Sequence, residues 1–541
     1  MDEASGRVEG PELVVISDLH LGEGRTGDAA RYSPMEDFFE DAALARLLAS
    51  LRTQHAGDPS RLVLVLNGDV FDFLTVTSVP DDEDCRARGF EVSPPERRFG
   101  LDPTPAKSVF KLDVIAAGHE EAFVALASFV AAGHRIEILR GNHDLELHFE
   151  DVQRRLREHL AGFEGGPAAK DAERLVRFHE WFYLEPGRVY VEHGNEYEPS
   201  NSIRYPLRPL VPSRGKPAGA PPLLDYPLGS YFVRYFYNRV HRIDPYMPRV
   251  ISFEQYTEFL RRYDLFDLVW VARDHYPFFV SALSPGAIAG ASRYTREDDA
   301  AHEDALRGLD GITQPAGLYR RLEELKIHPL TASKAALVRE MIEPVVRRLL
   351  WFAGLGLLSL YLWLLVFSLI QSTPWLAENV FGKASLLALF SVLTVAGLFW
   401  AGNQIGRRLR RRTDETVEKC AERASEIARF TGVKAVVMGH THVVDVRKVD
   451  GGRATYANGG TWIAVDNPWN RLKPDARRLT FIRVRGDDVR VCRWNDEAGR
   501  VDDVPFFDLA EDRGRERMPA DEEIRLRARP RAPRRRPFGS S

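Results

Sequence analysis

The chain holds only three cysteines, Cys85, Cys420 and Cys492, far apart in the sequence. They cannot build a disulfide framework or a thiolate zinc site, and their scarcity suits a reducing compartment. Neither sign of charge dominates: 74 Lys and Arg against 78 Asp and Glu leave a net charge of −4. That balance offers no basic body for gripping a phosphate backbone, so nucleic acid is not an expected partner. The start, Met1 to Gly10, is acidic and polar, without the basic residues and apolar stretch of a secretory signal. There is no internal repeat, and no Gly-x-x-x-x-Gly-Lys-Ser/Thr phosphate loop sits at a strand-to-helix turn.

What is present is a series of short apolar runs. Leu13–Ser17, Leu62–Leu66, Ile136–Leu139, Val189–Glu192 and Ala435–Met438 are rich in Val, Ile and Leu and read as buried strands. Helical patterns lie between them, such as Glu121–Ala132, which stops at Gly133. Alternating strands and helices predict an α/β fold. Near the end, two runs of alternating polarity flank Gly486-Asp487-Asp488 and predict a β-hairpin.

Each of the five runs leads into side chains that bind metals. They are Asp18-Leu19-His20, then Gly68-Asp69-Val70-Phe71-Asp72, then Gly141-Asn142-His143-Asp144, then His193-Gly194-Asn195, then Gly439-His440-Thr441-His442. Ligands of open α/β sheets gather at the carboxyl ends of strands. Imidazole, carboxylate and amide oxygen without thiolate suit Mn, Fe or Zn. One cation could not use so many ligands, whereas two sharing a carboxylate sit ~3.5–4 Å apart.

In this order the five clusters resemble the calcineurin-like metallophosphoesterase superfamily, whose pattern is Asp-x-His, Gly-Asp-x-x-Asp, Gly-Asn-His-Asp, His and Gly-His-x-His. The likeness covers roughly residues 12–195 and 434–494. It implies a two-sheet β sandwich flanked by helices. It also implies that Asp18, His20 and His442 hold one metal ion, that Asn142, His193 and His440 hold a second, and that Asp69 bridges them. His143 would contact the phosphate or protonate the leaving group, Asp144 would orient His143, and Asp72 would stand behind the ligands. Tyr456–Trp462 resembles a stretch that the family carries after its last ligand motif. The implied cofactors are two divalent ions, manganese first, with iron or zinc as alternatives. The implied chemistry is in-line attack on phosphorus by a hydroxide held between the ions. The Ser17–Gly22 start resembles the branch containing UDP-diacylglucosamine pyrophosphatases, although those enzymes usually carry Arg where this chain has His143.

The stretch 196–433 is too long for one loop and predicts a large insertion. Within it, 349–370 and 384–405 contain no charge, and each exceeds the ~20 residues that cross a bilayer core. Arg347 and Arg348 precede the first, and Arg407, Arg408, Arg410, Arg411 and Arg412 follow the second. Trp351, Trp375 and Trp400 sit near the expected interfaces. These features predict a two-helix transmembrane hairpin in the inner (plasma) membrane, with the catalytic domain and both termini cytoplasmic.

The expected organisation is therefore a core in two parts (1–195 and 434–510), an inserted cap (196–348), the hairpin (349–405), a basic juxtamembrane helix (406–433) and a disordered basic tail (511–541). The cap mixes aromatics with cations over Tyr231–Arg239. Arg204, Tyr205, Arg234 and Arg239 are candidates for phosphate contact there. His55, His119, His134 and His148 lack neighbouring ligands and read as structural or exposed. The leading expectation is a hydrolase of a phosphodiester, phosphomonoester or pyrophosphate bond in a phosphorylated small molecule or lipid-linked substrate. The alternatives are a nuclease of the same superfamily and a non-catalytic membrane scaffold.

Overall fold

A computed structural model describes residues 10–25, 31–212, 217, 219–238, 294–310, 315–330, 350, 354, 356–373, 379–409, 411–463 and 478–504. Twelve strands among them form two sheets. In chain order they are β1 (Glu12–Ile16), β2 (Leu62–Asn67), β3 (Arg135–Leu139), β4 (Val176–His179), β5 (Phe182–Glu185), β6 (Val189–Glu192), β7 (Ala435–Met438), β8 (Val444–Val449), β9 (Ala454–Gly459), β10 (Thr480–Arg485), β11 (Asp488–Asn495) and β12 (Arg500–Asp503). The seven-stranded sheet runs β12-β11-β10-β1-β2-β3-β4, and the five-stranded sheet β5-β6-β7-β9-β8. β1 to β4 are parallel neighbours, as are β6 with β7 and β7 with β9. Strands from before and after the long insertion interleave in both sheets, since β10 pairs with β1 and β7 with β6.

The alternation along each strand builds the layers. Leu13, Val15, Val63 and Val65 on one sheet share a buried cluster with Val189, Val191, Ala435 and Val437 on the other. Val14, Ile16, Leu64 and Ile138 face the opposite way. They pack with helices α1 (Asp41–Gln54), α4 (Pro105–Gly118), α5 (Glu120–Ala131), α6 (Glu150–Gly162) and α7 (Ala169–Leu175), through residues such as Leu47, Leu112, Phe123 and Leu156, while the short helices α2 (Asp82–Ala87) and α3 (Pro94–Phe99) lie between β2 and α4 in the chain. The outer face of the second sheet, with Tyr190, Val436 and Tyr456, is covered by Cys420, Ala424 and Ile427 of helix Arg411–Thr431. The result is a mixed α/β sandwich with helices on both outer faces. Strands buried on both sides read as continuous apolar runs, and that is why five of them were visible in the sequence.

His119, at the bend between α4 and α5, is buried between two carboxylates. Its Nδ1 lies 2.9 Å from Asp41 and its Nε2 3.1 Å from Glu36. Burial alone would lower its pKa, but the two carboxylates prevail and push it up to about 9. That value lies above the ~6.5 of an unfolded histidine. Its stabilisation is therefore complete below ~pH 6.5 and is lost as the pH rises through about 9. Urea unfolding should find His119→Gln destabilised by on the order of 3 kcal/mol more near pH 6 than near pH 10. An equal loss at both pH values would show that the imidazolium is not what holds the bend.

Helix Gly356–Ser372 and the first part of helix Val380–Leu409 are apolar. Trp363 Nε1 donates to Ser391 Oγ at 3.4 Å and Lys383 lies over the Phe367 ring, so the two run antiparallel. Leu357, Leu365, Phe381 and Leu393 are exposed. Yet among the described residues no single helix is long and apolar enough to cross a membrane. The apolar lengths Gly356–Ser372 and Phe381–Thr394 fall short of the ~20 residues required. The expected hairpin of two full spans is thus not seen among the described residues, and 349, 351–353, 355 and 374–378 lie outside them. The bent pair α4 and α5 passes on composition alone, but it turns by 95° and buries Leu112, Ile115, Phe123 and Leu126 in the core. Residues 1–9, Arg347, Arg348, Trp351, Trp375, Arg410 and the tail 511–541 lie outside the described residues.

Candidate metal centre

The carboxyl ends of β1, β2, β3, β6 and β7 converge. Asp18 N donates to Gly68 O at 3.1 Å and His20 N to Asp69 O at 2.8 Å, joining the first two loops. Gly439 N donates to His193 O at 2.8 Å, and His440 N to the Asp18 carboxylate at 3.1 Å, joining the two sheets. Asn458 Nδ2 donates to Gly439 O at 2.6 Å and Thr461 Oγ1 to Asp18 O at 2.6 Å. The stretch Tyr456–Trp462 therefore braces the last ligand loop against the first.

The backbone marks the same place independently. Seven non-glycine residues among those described have positive φ, and five of them are Asp18, His20, Asp69, His440 and His442. Such angles are costly for residues with a Cβ and persist where the surroundings over-determine them. Two motif glycines are required by close approach instead. A Cβ on Gly141 would lie 2.2 Å from Asp69 Oδ1, and one on Gly439 would lie 2.5 Å from Asp18 Oδ2.

The side chains form overlapping clusters. Asp18, His20 and His442 make one and Asp69, His193 and His440 another, while Asp69 also joins His20 and His143. Asp69 Oδ2 stands 3.2 Å from His193 Nε2 and 3.9 Å from His20 Nε2, between the two groups. His20 Nε2 and His442 Nε2 face each other at 3.1 Å. That is about the separation of two nitrogens that each lie ~2.1 Å from one ion. Asn142 Oδ1 and His442 Nδ1 are buried without a hydrogen-bond partner. Buried polar atoms are nearly always satisfied, so orphans gathered here fit a bound cation. His193 Nδ1 pairs with Asn67 O at 3.0 Å, which leaves Nε2 with its lone pair for a metal.

Electrostatics agree. Burial opposes charge on Asp69, yet His193 and His143 beside it hold its carboxyl well below the ordinary range. Burial likewise opposes charge on His193, and Asp69 nonetheless pushes its pKa up. These carboxylates require adjacent positive charge, which imidazolium or a divalent ion can furnish. The donor set fits two cations that share Asp69.

His143 sits at the edge of this group with 12 % of its side chain exposed. Its orienting partner is Asp72, whose Oδ2 lies 3.1 Å from His143 Nδ1 and 3.3 Å from His20 Nδ1. Asp144 does not take that place. Its carboxylate accepts from Gly141 N at 2.5 Å and Val70 N at 2.9 Å, and so ties the β3 loop to the β2 loop. Burial, with Asp69 nearby, pushes the Asp144 carboxyl up.

The four cap candidates stand elsewhere. Arg204 reaches Asp299 at 3.3 Å and lies over the Tyr294 ring, and Tyr205 donates to the same Asp299. Arg234 is buried on Gly100 O and Asp102, both at 2.7 Å. Its charge is taken up in holding the short helix α8 (Leu228–Phe232) and the turn that follows it. Arg239 lies outside the described residues. Among the residues the cap brings to the centre is Ser230, whose Oγ donates to Asn142 O at 2.9 Å. His55, His134 and His148 pair with Leu51 O, Pro59 O and Glu180, away from the centre.

Sequence reasoning passed over Glu198 and Asn201. Glu198 Oε2 lies 2.7 Å from His440 Nε2. The available signal was the run of polar residues directly after β6, Asn195-Glu196-Tyr197-Glu198.

Comparison with known families decides the class. Residues 12–224 match the family described as calcineurin-like phosphoesterase. The match supports the metallophosphoesterase superfamily for this part of the chain. No curated protein matches it. The matched segment carries the first four ligand clusters of the phosphoesterase, and the fold supplies the fifth, Gly439–His442, from beyond it. The matched family is one of metal-dependent hydrolases, and the buried His/Asp clusters agree with it.

Proposed function

We propose that this phosphoesterase hydrolyses a phosphoester or pyrophosphate bond in a membrane-proximal or lipid-linked substrate. The observation that carries the reading is Asp69 standing between two buried clusters of metal-ligating groups. Asp18, His20 and His442 would hold one ion and Asn142, His193 and His440 the other, with Asp69 shared. Two divalent ions, manganese by preference, would activate water and offset phosphoryl charge when bound. His143, steadied by Asp72, would meet the phosphoryl or leaving-group oxygen at the open edge of the site. The division of the insertion into a cap (196–348), an apolar hairpin (349–405) and a basic helix (406–433) belongs to the same reading. The exposed Leu357, Leu365, Phe381 and Leu393 support a lipid-facing role for the hairpin.

Manganese-loaded protein should be assayed against bis-p-nitrophenyl phosphate, p-nitrophenyl phosphate, a nucleoside diphosphate-lipid and a cyclic nucleotide. The expected result is turnover, fastest on the lipid-linked pyrophosphate. A metal-loaded sample inert on the whole panel would point to a scaffold instead. The protein should also float with anionic liposomes, and replacement of 349–405 by a short Gly-Ser linker should abolish flotation. Equal flotation of both forms would exclude the hairpin as the anchor.

A further inference from the structure

A second layer of polar contacts joins two ligands that come from different sheets. His440 Nε2 meets Glu198 Oε2 at 2.7 Å. The same oxygen accepts from Asn201 Nδ2 at 2.8 Å. Asn201 Oδ1 in turn accepts from Asn142 Nδ2 at 3.4 Å. The chain His440–Glu198–Asn201–Asn142 therefore ties the β7 loop to the β3 loop. Its effect on Asn142 is directional. With Nδ2 engaged by Asn201, the amide turns Oδ1, its metal-ligating atom, inward, where it is buried and unpartnered. Its effect on His440 is to fix the ring and leave Nδ1 for coordination. A carboxylate on the far nitrogen also makes a histidine a stronger donor.

The strap that carries Glu198 and Asn201 opens the insertion and is held in place by later parts of it. Ile327 N donates to Glu196 O at 2.9 Å and Leu330 N to Pro199 O at 3.0 Å. Ser202 Oγ donates to Ile327 O at 2.6 Å. On the other side Gly229 N donates to Ser200 O at 2.8 Å. Gly229 fits only because it has no side chain, since a Cβ there would lie 2.0 Å from Asn201 Oδ1.

We infer that Glu198 and Asn201 are positioning residues for the second metal ion, and that the cap, by clamping their strap, is part of that ion's site. The inference rests on the dinuclear reading above. It is specific in that the cluster Asp18, His20 and His442 has no member in this hydrogen-bonded chain.

The test is calorimetric titration of metal-free full-length protein with Mn2+, with bound metal counted by elemental analysis and folding checked by circular dichroism. Wild type should bind two ions. Glu198→Ala should keep the first ion at unchanged affinity and bind the second 10- to 100-fold more weakly, the cost typical of losing a partner behind a ligand. Glu198→Gln, which retains an acceptor for His440 but not the charge, should recover part of that loss. Gly229→Ala, which pushes on Asn201 from the cap, should weaken the second ion alone. Wild type that binds no pair of ions would overturn the dinuclear reading itself. Wild type with two ions and Glu198→Ala with unaltered affinity for both would overturn the positioning role. So would equal weakening of both ions in Glu198→Ala, because the strap would then be supporting the fold in general.

Discussion

Asp69→Ala is expected to remove metal loading and turnover together. Its carboxylate is the only side chain shared between the Asp69/His193/His440 cluster and the His20/Asp69/His143 cluster, so one substitution takes a donor from both sides. The loss also frees the backbone, because Asp69 Oδ1 accepts from His143 N at 2.8 Å and holds the β3 loop against the β2 loop. A bridging carboxylate sets the spacing of a metal pair, and without that spacing the pair cannot clamp an in-line displacement. Turnover should fall by about three orders of magnitude or more. Elemental analysis should find fewer than two ions per chain. Asp69→Asn separates the two functions: it keeps an acceptor for His143 N but loses the charge, so it should fold as wild type and still fail to load. A variant at Asp69 with wild-type rate and metal content would show that the two clusters do not share a bridge.

How much of this site was legible in the sequence depends on where each signal came from. The ligand loops were visible because β1, β2, β3, β6 and β7 are almost wholly buried, so each announced itself as an apolar run ending in a polar motif. β4 and β5 were missed for the converse reason. They are edge strands with Arg177, His179 and Glu185 at partly or fully exposed positions, and such strands carry no run to detect. The partner of His143 was misassigned to Asp144 because adjacency in sequence is a poor guide inside a tight turn. The Asp144 carboxylate turns to the Gly141 and Val70 amides, while Asp72 reaches His143 from another strand's loop. Glu198 was invisible for a related reason, since its meaning depends on His440, which is far away in the chain. The cap cations were overread: an Arg beside aromatics suggests a phosphate site, but Arg204 and Arg234 had carboxylates within reach. The apolar stretches were plain from the missing charges, yet among the described residues no single helix is both long and apolar enough to cross a membrane.

The Asp72–His143 pair gives the second large effect. His143→Ala should retain both ions, because the ring lies at the rim and the metal-ligating groups of Asp18, Asn142, His193, His440 and His442 are untouched. It should lose ~10²- to 10⁴-fold in kcat, the range for removing a general acid. The loss should depend on the leaving group. A p-nitrophenolate departs without protonation and should suffer least, whereas an alkoxide should suffer most. If all substrates lose equally, the ring acts by holding the phosphoryl group and not by donating a proton. Asp72→Asn tests the orienting role. Asp72 also faces His20 Nδ1 and caps the turn through Leu74 N and Thr75 N, so its removal touches the first ion as well as the acid. Asp72→Asn should therefore combine a fall in kcat with weaker binding of one ion. Asp144→Asn should instead lower stability through the β2–β3 loops and leave the leaving-group dependence as in wild type. Should His143→Ala shed metal, His143 would be a ligand, and the cluster that joins it to His20 and Asp69 would be a metal site in its own right.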